Sequence, residues 1–133
     1  MKLEPNCVRD LLLTLEEVES IDDEGLLKGF SVNQFIKAKR MSKYSRGQIL
    51  YTFRMLKDGG LVSYHGHYQG GVFIHQFGTE DGITYVGHQF LASIRDNTVW
   101  RKALDKLANI SGTASLAIIK SLCDGIIQTI LKF

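Results

Sequence analysis

Several things are scarce in this 133-residue chain, and each shortage removes a class of explanation. There are only two cysteines, Cys7 and Cys123, placed near opposite ends. They lack the paired spacing of a metal or redox motif, so they read as buried free thiols of a reducing compartment. No stretch is apolar over the roughly 20 residues that a membrane span needs. The opening Met-Lys-Leu-Glu-Pro-Asn lacks the apolar core of a secretory signal, so we expect a cytoplasmic protein. A Gly-x-Ser-x-Gly elbow, a phosphate loop ending in Gly-Lys-Ser/Thr and a dinucleotide fingerprint are all missing. We therefore expect no enzymatic activity and no cofactor.

The most informative shortage is of acids. None occurs between Glu24 and Asp58, an interval that holds Lys28, Lys37, Lys39, Arg40, Lys43, Arg46, Arg54 and Lys57. Directly upstream stand Glu16, Glu17, Glu19, Asp22, Asp23 and Glu24 with no base among them. The formal net charge of +2 conceals this polarity. A positive run beside a helix is the electrostatic footprint of a polyanion binder, most often of nucleic acid.

Local patterning places these charges on elements. Pro5 suits a first helical turn, where its missing N–H costs nothing. Val8, Leu11, Leu12, Leu15 and Val18 then mark one face of a helix over 5–19. Phe35 to Arg40 is read as a short strand. Ser45-Arg46-Gly47-Gln48 has the form of a capping box, starting a helix with Ile49, Phe53 and Leu56 inward and Gln48, Tyr51, Arg54 and Met55 outward. Asp58-Gly59-Gly60 stops it. Leu61 to His65 and Val72 to Phe77 make a hairpin about a Gly70-Gly71 turn.

From Ile83 the pattern returns to helix. Tyr85, Val86, Phe90, Leu91 and Ile94 share one segment. Asp96 or Asn97 caps the next, with Val99, Trp100, Ala103, Leu104 and Leu107, and Ser111-Gly112-Thr113 breaks it. The last helix, Ala114 to Leu131, is apolar except for a ridge of Lys120, Asp124, Gln128 and Lys132, so it should bury more than one flank. We expect an α+β, mainly α fold: a winged helix-turn-helix with a two- or three-stranded β-wing over residues 1–82, and a helical extension over 83–133 that could form a homodimer.

The chain resembles the family catalogued as domain of unknown function 2513. Three stretches carry the likeness: Val8-Arg9-Asp10-Leu11-Leu12-Leu13; Tyr44-Ser45 with Ile49-Leu50-Tyr51 and Leu56-Lys57-Asp58-Gly59-Gly60-Leu61-Val62; and Gly82-Ile83-Thr84-Tyr85-Val86-Gly87-His88-Gln89-Phe90-Leu91, followed by Ile94-Arg95-Asp96-Asn97-Thr98-Val99-Trp100. The resemblance implies a winged-helix-like body with a helical tail, often encoded in prophages. It implies no activity and no functional residues.

The histidines offer little chemistry. In the expected hairpin His67 lies opposite Ile74 and His75 opposite Gly66, so with His65 they do not converge on a metal. His88 is expected as a helix residue near the core, and Trp100 as a core or interface anchor. The functional expectation is double-stranded DNA binding by a small phage or prophage regulator. Arg46, Gln48, Tyr51 and Arg54 would face the groove, Lys37, Lys39, Arg40, Lys43 and Lys57 the phosphates, and His67, Tyr68 and Gln69 would form the wing. The competing class is a non-enzymatic module that binds a host protein. A third is single-strand or RNA binding with Tyr44, Tyr51 and Tyr68 as stacking surfaces.

Overall fold

A computed structural model describes residues 1–18, 30–31, 36–69, 72–77, 82–110 and 115–131, with 30–31, 65–69 and 72–77 described as backbone strands. Helix α1, Pro5–Val18, is the centre of the molecule. Cys7, Val8, Leu11, Leu12 and Leu15 are wholly buried, each such leucine contributing about 1.5–3 kcal/mol by leaving water. Val18, expected on this stripe, is 38 % exposed.

The expected strand at Phe35–Arg40 is corrected: Lys39–Met41 form a 3-10 turn, and Phe35 lies outside the described residues. Ile36 and Ala38 pack against the core only in part, and Met41 is fully buried in it beside α1. Ser45 then caps helix α2, Arg46–Asp58, by accepting from the Gln48 N–H. The other half of the expected capping box is not made. Gln48 Nε2 instead donates to the Lys2 carbonyl at 3.4 Å. Ile49, Phe53 and Leu56 are buried as expected. So is Thr52, whose hydroxyl donates to the Gln48 carbonyl at 2.7 Å and contacts Cys7 Sγ at 3.3 Å.

Helix α2 ends in a Schellman motif. Gly60 takes φ +77°, the Gly60 N–H donates to Lys57 and the Leu61 N–H to Leu56 at 2.8 Å. Beyond it the expected first strand is split. Val62–Ser63 (β2) pairs antiparallel with Gly82–Ile83 (β5), whereas His65–Gln69 (β3) pairs with Val72–Phe77 (β4). Between the halves, Tyr64 is buried edge-on to Phe53, with centroids 5.9 Å apart. The hairpin register has His67 opposite Ile74 and His75 opposite Gly66, as read from the sequence. Gly70-Gly71 themselves lie outside the described residues. Strand β1, Phe30–Ser31, adds to β4, giving the order β1-β4-β3.

Helices α3 (Tyr85–Ile94), α4 (Asn97–Leu107) and α5 (Leu116–Leu131) complete the core. Thr84 caps α3 and Asp96 caps α4, each accepting an N–H three residues on. Of the five residues grouped in this segment, Tyr85 and Val86 are exposed, while Phe90, Leu91 and Ile94 are buried. His88 is likewise exposed, not near the core. Trp100 is buried and donates to Asn6 of α1 at 2.9 Å. On α5 the buried residues are Ile119, Cys123 and Ile126, while Ile118, Ile130 and Leu131 stay exposed. Part of the polar ridge is bonded to the neighbouring helix: Asp124 accepts from Ser93 of α3 at 2.5 Å and from Lys120 at 2.6 Å. Ser111-Gly112-Thr113, Ala114 and Lys132 lie outside the described residues. The fold is a mainly helical α+β arrangement with small antiparallel sheets.

Gly87 lets α3 approach the corner after α2. A Cβ there would lie 2.0 Å from the Leu61 carbonyl oxygen, whereas one on Gly125 in α5 meets open space. Gly87→Ala should therefore destabilise the protein by about 1–3 kcal/mol or more, and Gly125→Ala should stabilise it by about 0.5–1 kcal/mol. Urea midpoints of the two variants check this pair, and equal midpoints would contradict the close approach.

Candidate nucleic-acid interface

The cationic residues of the first half fall into two groups. Arg46, Arg54 and Lys57 project from α2 and are exposed. At 3.6 residues per turn they span an arc of about 80°. Asp58, at the end of α2, is the acid closest to them in sequence, and its Oδ2 lies 3.9 Å from Arg54 Nε. The Lys57 ammonium sits 4.6 Å from the Tyr64 ring centroid, which ties the end of α2 to the start of the hairpin. Tyr51 is half-buried on the far flank of this arc. Gln48 falls about 120° beyond Arg54 on the same wheel, which is why its amide meets the Met1–Lys2 segment instead of the arginine face.

The second group surrounds the 3-10 turn. Lys37 and Lys39 are exposed. Arg40 and Lys43 reach back to carboxylates of α1: Arg40 Nη2 donates to Glu17 at 2.6 Å and Nη1 to the Thr14 hydroxyl at 3.2 Å. Lys43 Nζ lies 3.0 Å from Asp10 Oδ2, which also accepts from the Tyr44 hydroxyl at 2.6 Å. The acidic run next to the basic one is thus partly folded onto it. Glu19 to Glu24 and Lys28 lie outside the described residues. Of His67, Tyr68 and Gln69, the structure gives the backbone position only, on β3 at the hairpin.

The titratable groups follow from these contacts. The hydrogen bond from Arg40 holds the Glu17 carboxyl below its usual value and raises Arg40 in return. Burial, reinforced by the bond to Asp10, pushes the Tyr44 phenol well above its ordinary value. Burial pushes the Cys7 and Cys123 thiols up to about 11, so neither is a nucleophile at neutral pH. Among the described residues no group of three His, Cys, Asp or Glu side chains could hold a metal. No described helix is long and apolar enough to cross a membrane.

Sequence reading missed the arginine that fixes this assembly. Arg9 donates from Nε to the Ile94 carbonyl at 2.9 Å and from Nη2 to the Arg95 carbonyl at 2.6 Å and Asn97 Oδ1 at 2.7 Å. Its guanidinium stands 5.6 Å from the Trp100 ring centroid. It therefore caps the C-terminus of α3 from α1. The one available signal was a base at the edge of an otherwise apolar stripe. Arg95 answers with a two-pronged bond to Glu16.

Fold and surface together define a small, mainly helical α+β domain with a cationic helix face beside a β-hairpin. A family model described as hypothetical protein, DUF2513, matches residues 2–114. The chain belongs to that family, domain of unknown function 2513. Searches of curated proteins and of solved structures each gave no match.

The Arg95 bond depresses the Glu16 carboxyl below its ordinary value of 4.5. Its stabilising contribution is therefore complete above that value and lost as pH falls through the lowered one. In Glu16→Gln the stability measured by urea unfolding should depend less steeply on pH between 6 and 3. Superimposable pH profiles for variant and wild type would show that the pair contributes nothing.

Proposed function

We propose that this protein is a small winged-helix DNA-binding protein, a phage- or prophage-associated transcriptional regulator in which α2 enters the major groove and the β3–β4 hairpin is the wing. The observation that supports this reading best is the α2 face itself. Arg46, Arg54 and Lys57 stand exposed along it, with the hairpin following directly after the helix. Arginine is the side chain best suited to guanine edges in the major groove. In this reading Arg46 and Arg54 face bases, with Tyr51 at the groove wall. Lys57 joins Lys37, Lys39 and Lys43 on phosphates, and His67, Tyr68 and Gln69 lie at the wing. Gln48, held by Lys2, contributes less than the arginines. Pairing of two copies through α5 suits the same reading, since Ile118, Ile130 and Leu131 stay exposed there and two-fold DNA sites call for two-fold proteins.

A protein-docking role is the second reading, and one observation favours it. Tyr85 and Val86 are 77 % and 52 % exposed at the start of α3. An apolar pair of that kind suits a protein partner better than a phosphate backbone. Winged-helix architecture by itself decides neither.

Mobility shift across a salt series tests the DNA reading. If about five phosphates are neutralised, log affinity falls with log salt at a slope of about −4 to −5. Arg46→Ala and Arg54→Ala should each weaken binding about 10-fold or more at a preferred site, in line with about 1–3 kcal/mol per bidentate base contact. Absence of binding to any duplex at ~50 mM salt would remove this reading and leave the docking role.

A further inference from the structure

We propose that the cleft between α1 and the 3-10 turn is a phosphate-binding site whose resident occupant is the Glu17 carboxylate. The proposal rests on the nucleic-acid reading only for the source of the phosphate. The cleft has a volume of about 480 Å³ and is lined by Thr14, Glu17, Ala38, Lys39, Arg40 and Lys43. Three cations and one carboxylate therefore share it. Asp10 lies behind them, its carboxylate only 14 % exposed and already engaged by Tyr44 and Lys43.

The cations are held from the protein side. Thr14 is buried, its hydroxyl donates to the Asp10 carbonyl at 2.7 Å, and it receives one arm of Arg40. Lys43 is anchored on Asp10. Lys39 is exposed and pairs with no carboxylate among the described residues. Glu17 is different, because its side chain is 61 % exposed and its tie to this cleft is one bond to Arg40. An exposed ion pair of that sort contributes little to stability. A phosphate group offers several charged oxygens to the same guanidinium and to two lysines at once, and planar guanidinium pairs well with such oxyanions. Exchange of carboxylate for phosphate leaves the packing behind Arg40 untouched. Glu17 thus acts as an internal competitor that sets how strong an anion must be to enter.

Amide NMR titration of the full chain tests this, with inorganic phosphate and separately with a short duplex, at constant ionic strength against chloride. Saturable shifts at Thr14 and Lys39 to Lys43 on adding phosphate are expected, several-fold tighter in Glu17→Gln and weaker in Lys43→Gln. Glu17→Gln keeps the side-chain shape at an exposed position, so the fold is retained. Shifts that fail to saturate, or that are equal in wild type and Glu17→Gln, overturn the site. Duplex-induced shifts on α2, with Thr14 and Lys39 to Lys43 unmoved by duplex and by inorganic phosphate alike, also overturn it, while the DNA reading stands. Saturation by inorganic phosphate with no response to duplex supports the site and assigns it to a free phosphate-bearing ligand, at the expense of the DNA reading.

Discussion

The corner formed by Gly59, Gly60 and Leu61 governs where everything after it can go. Gly60 turns the chain with a positive φ, and the carbonyls of Gly60 and Leu61 both point at Thr84. The Thr84 hydroxyl donates to Gly60 at 2.6 Å and accepts from Gly87, while its N–H donates to Leu61 at 3.0 Å. One threonine therefore caps α3 and satisfies the end of α2 at once. Gly87 removes the side chain that would collide with the Leu61 carbonyl, and β2–β5 pairing locks the same junction from the side. Leu116, at the start of α5, also approaches Gly59 closely. With these contacts set, the outward face of α2 has one direction relative to the helical bundle behind it.

That junction explains why the C-terminal helices belong to the same core as the first half. Residues from Cys7 to Ile126 form one buried cluster. Its polar connections run through α1: Arg9 to the end of α3, Asn6 to Trp100, and Glu16 to Arg95. The half-buried Arg9 guanidinium bonds two carbonyls and an amide oxygen, and charge-assisted bonds of this kind are stronger than neutral ones. The hydrogen bonds also fix the angle of α3 against α1, since the carbonyls concerned are those left open where α3 ends.

Where the sequence was legible, the signal was local. Ser45, Asp96 and the glycines after Asp58 mark caps because a cap depends on neighbours one to four residues away. The hairpin register was legible for the same reason: a two-glycine turn fixes which residues face each other. Helix faces could be read at their buried centres, as with Phe53 and Leu91, and failed at an end, as with Val18. Periodicity describes a helix but not where its neighbours stop. The stretch before Met41 has no clean period, so its turn was not legible as pattern, and Ile36, Ala38 and the buried Met41 hold it against the core instead. Gln48 is a third kind of case. Its position on the wheel was available, but the partner that holds it lies 46 residues away.

The same distinction applies to the charges. Composition along the chain separates an acidic block from a basic one, and reading them separately suggests an unopposed cationic surface. Folding brings α1 alongside the 3-10 turn, so Glu17 and Asp10 meet Arg40 and Lys43. The turn is thereby partly neutralised, whereas on α2 the acid near the exposed cations is Asp58, 3.9 Å from Arg54. Geometry splits the described part of the acidic block: Glu17 meets Arg40 at the turn, while Glu16 pairs with Arg95 at the end of α3. Both surfaces keep an excess of cations over the carboxylates beside them: Arg46, Arg54 and Lys57 with Asp58 on α2, and Lys37, Lys39, Arg40 and Lys43 with Glu17 and Asp10 at the turn. The turn contributes in proportion to how readily an incoming anion displaces Glu17, the more exposed of its two carboxylates.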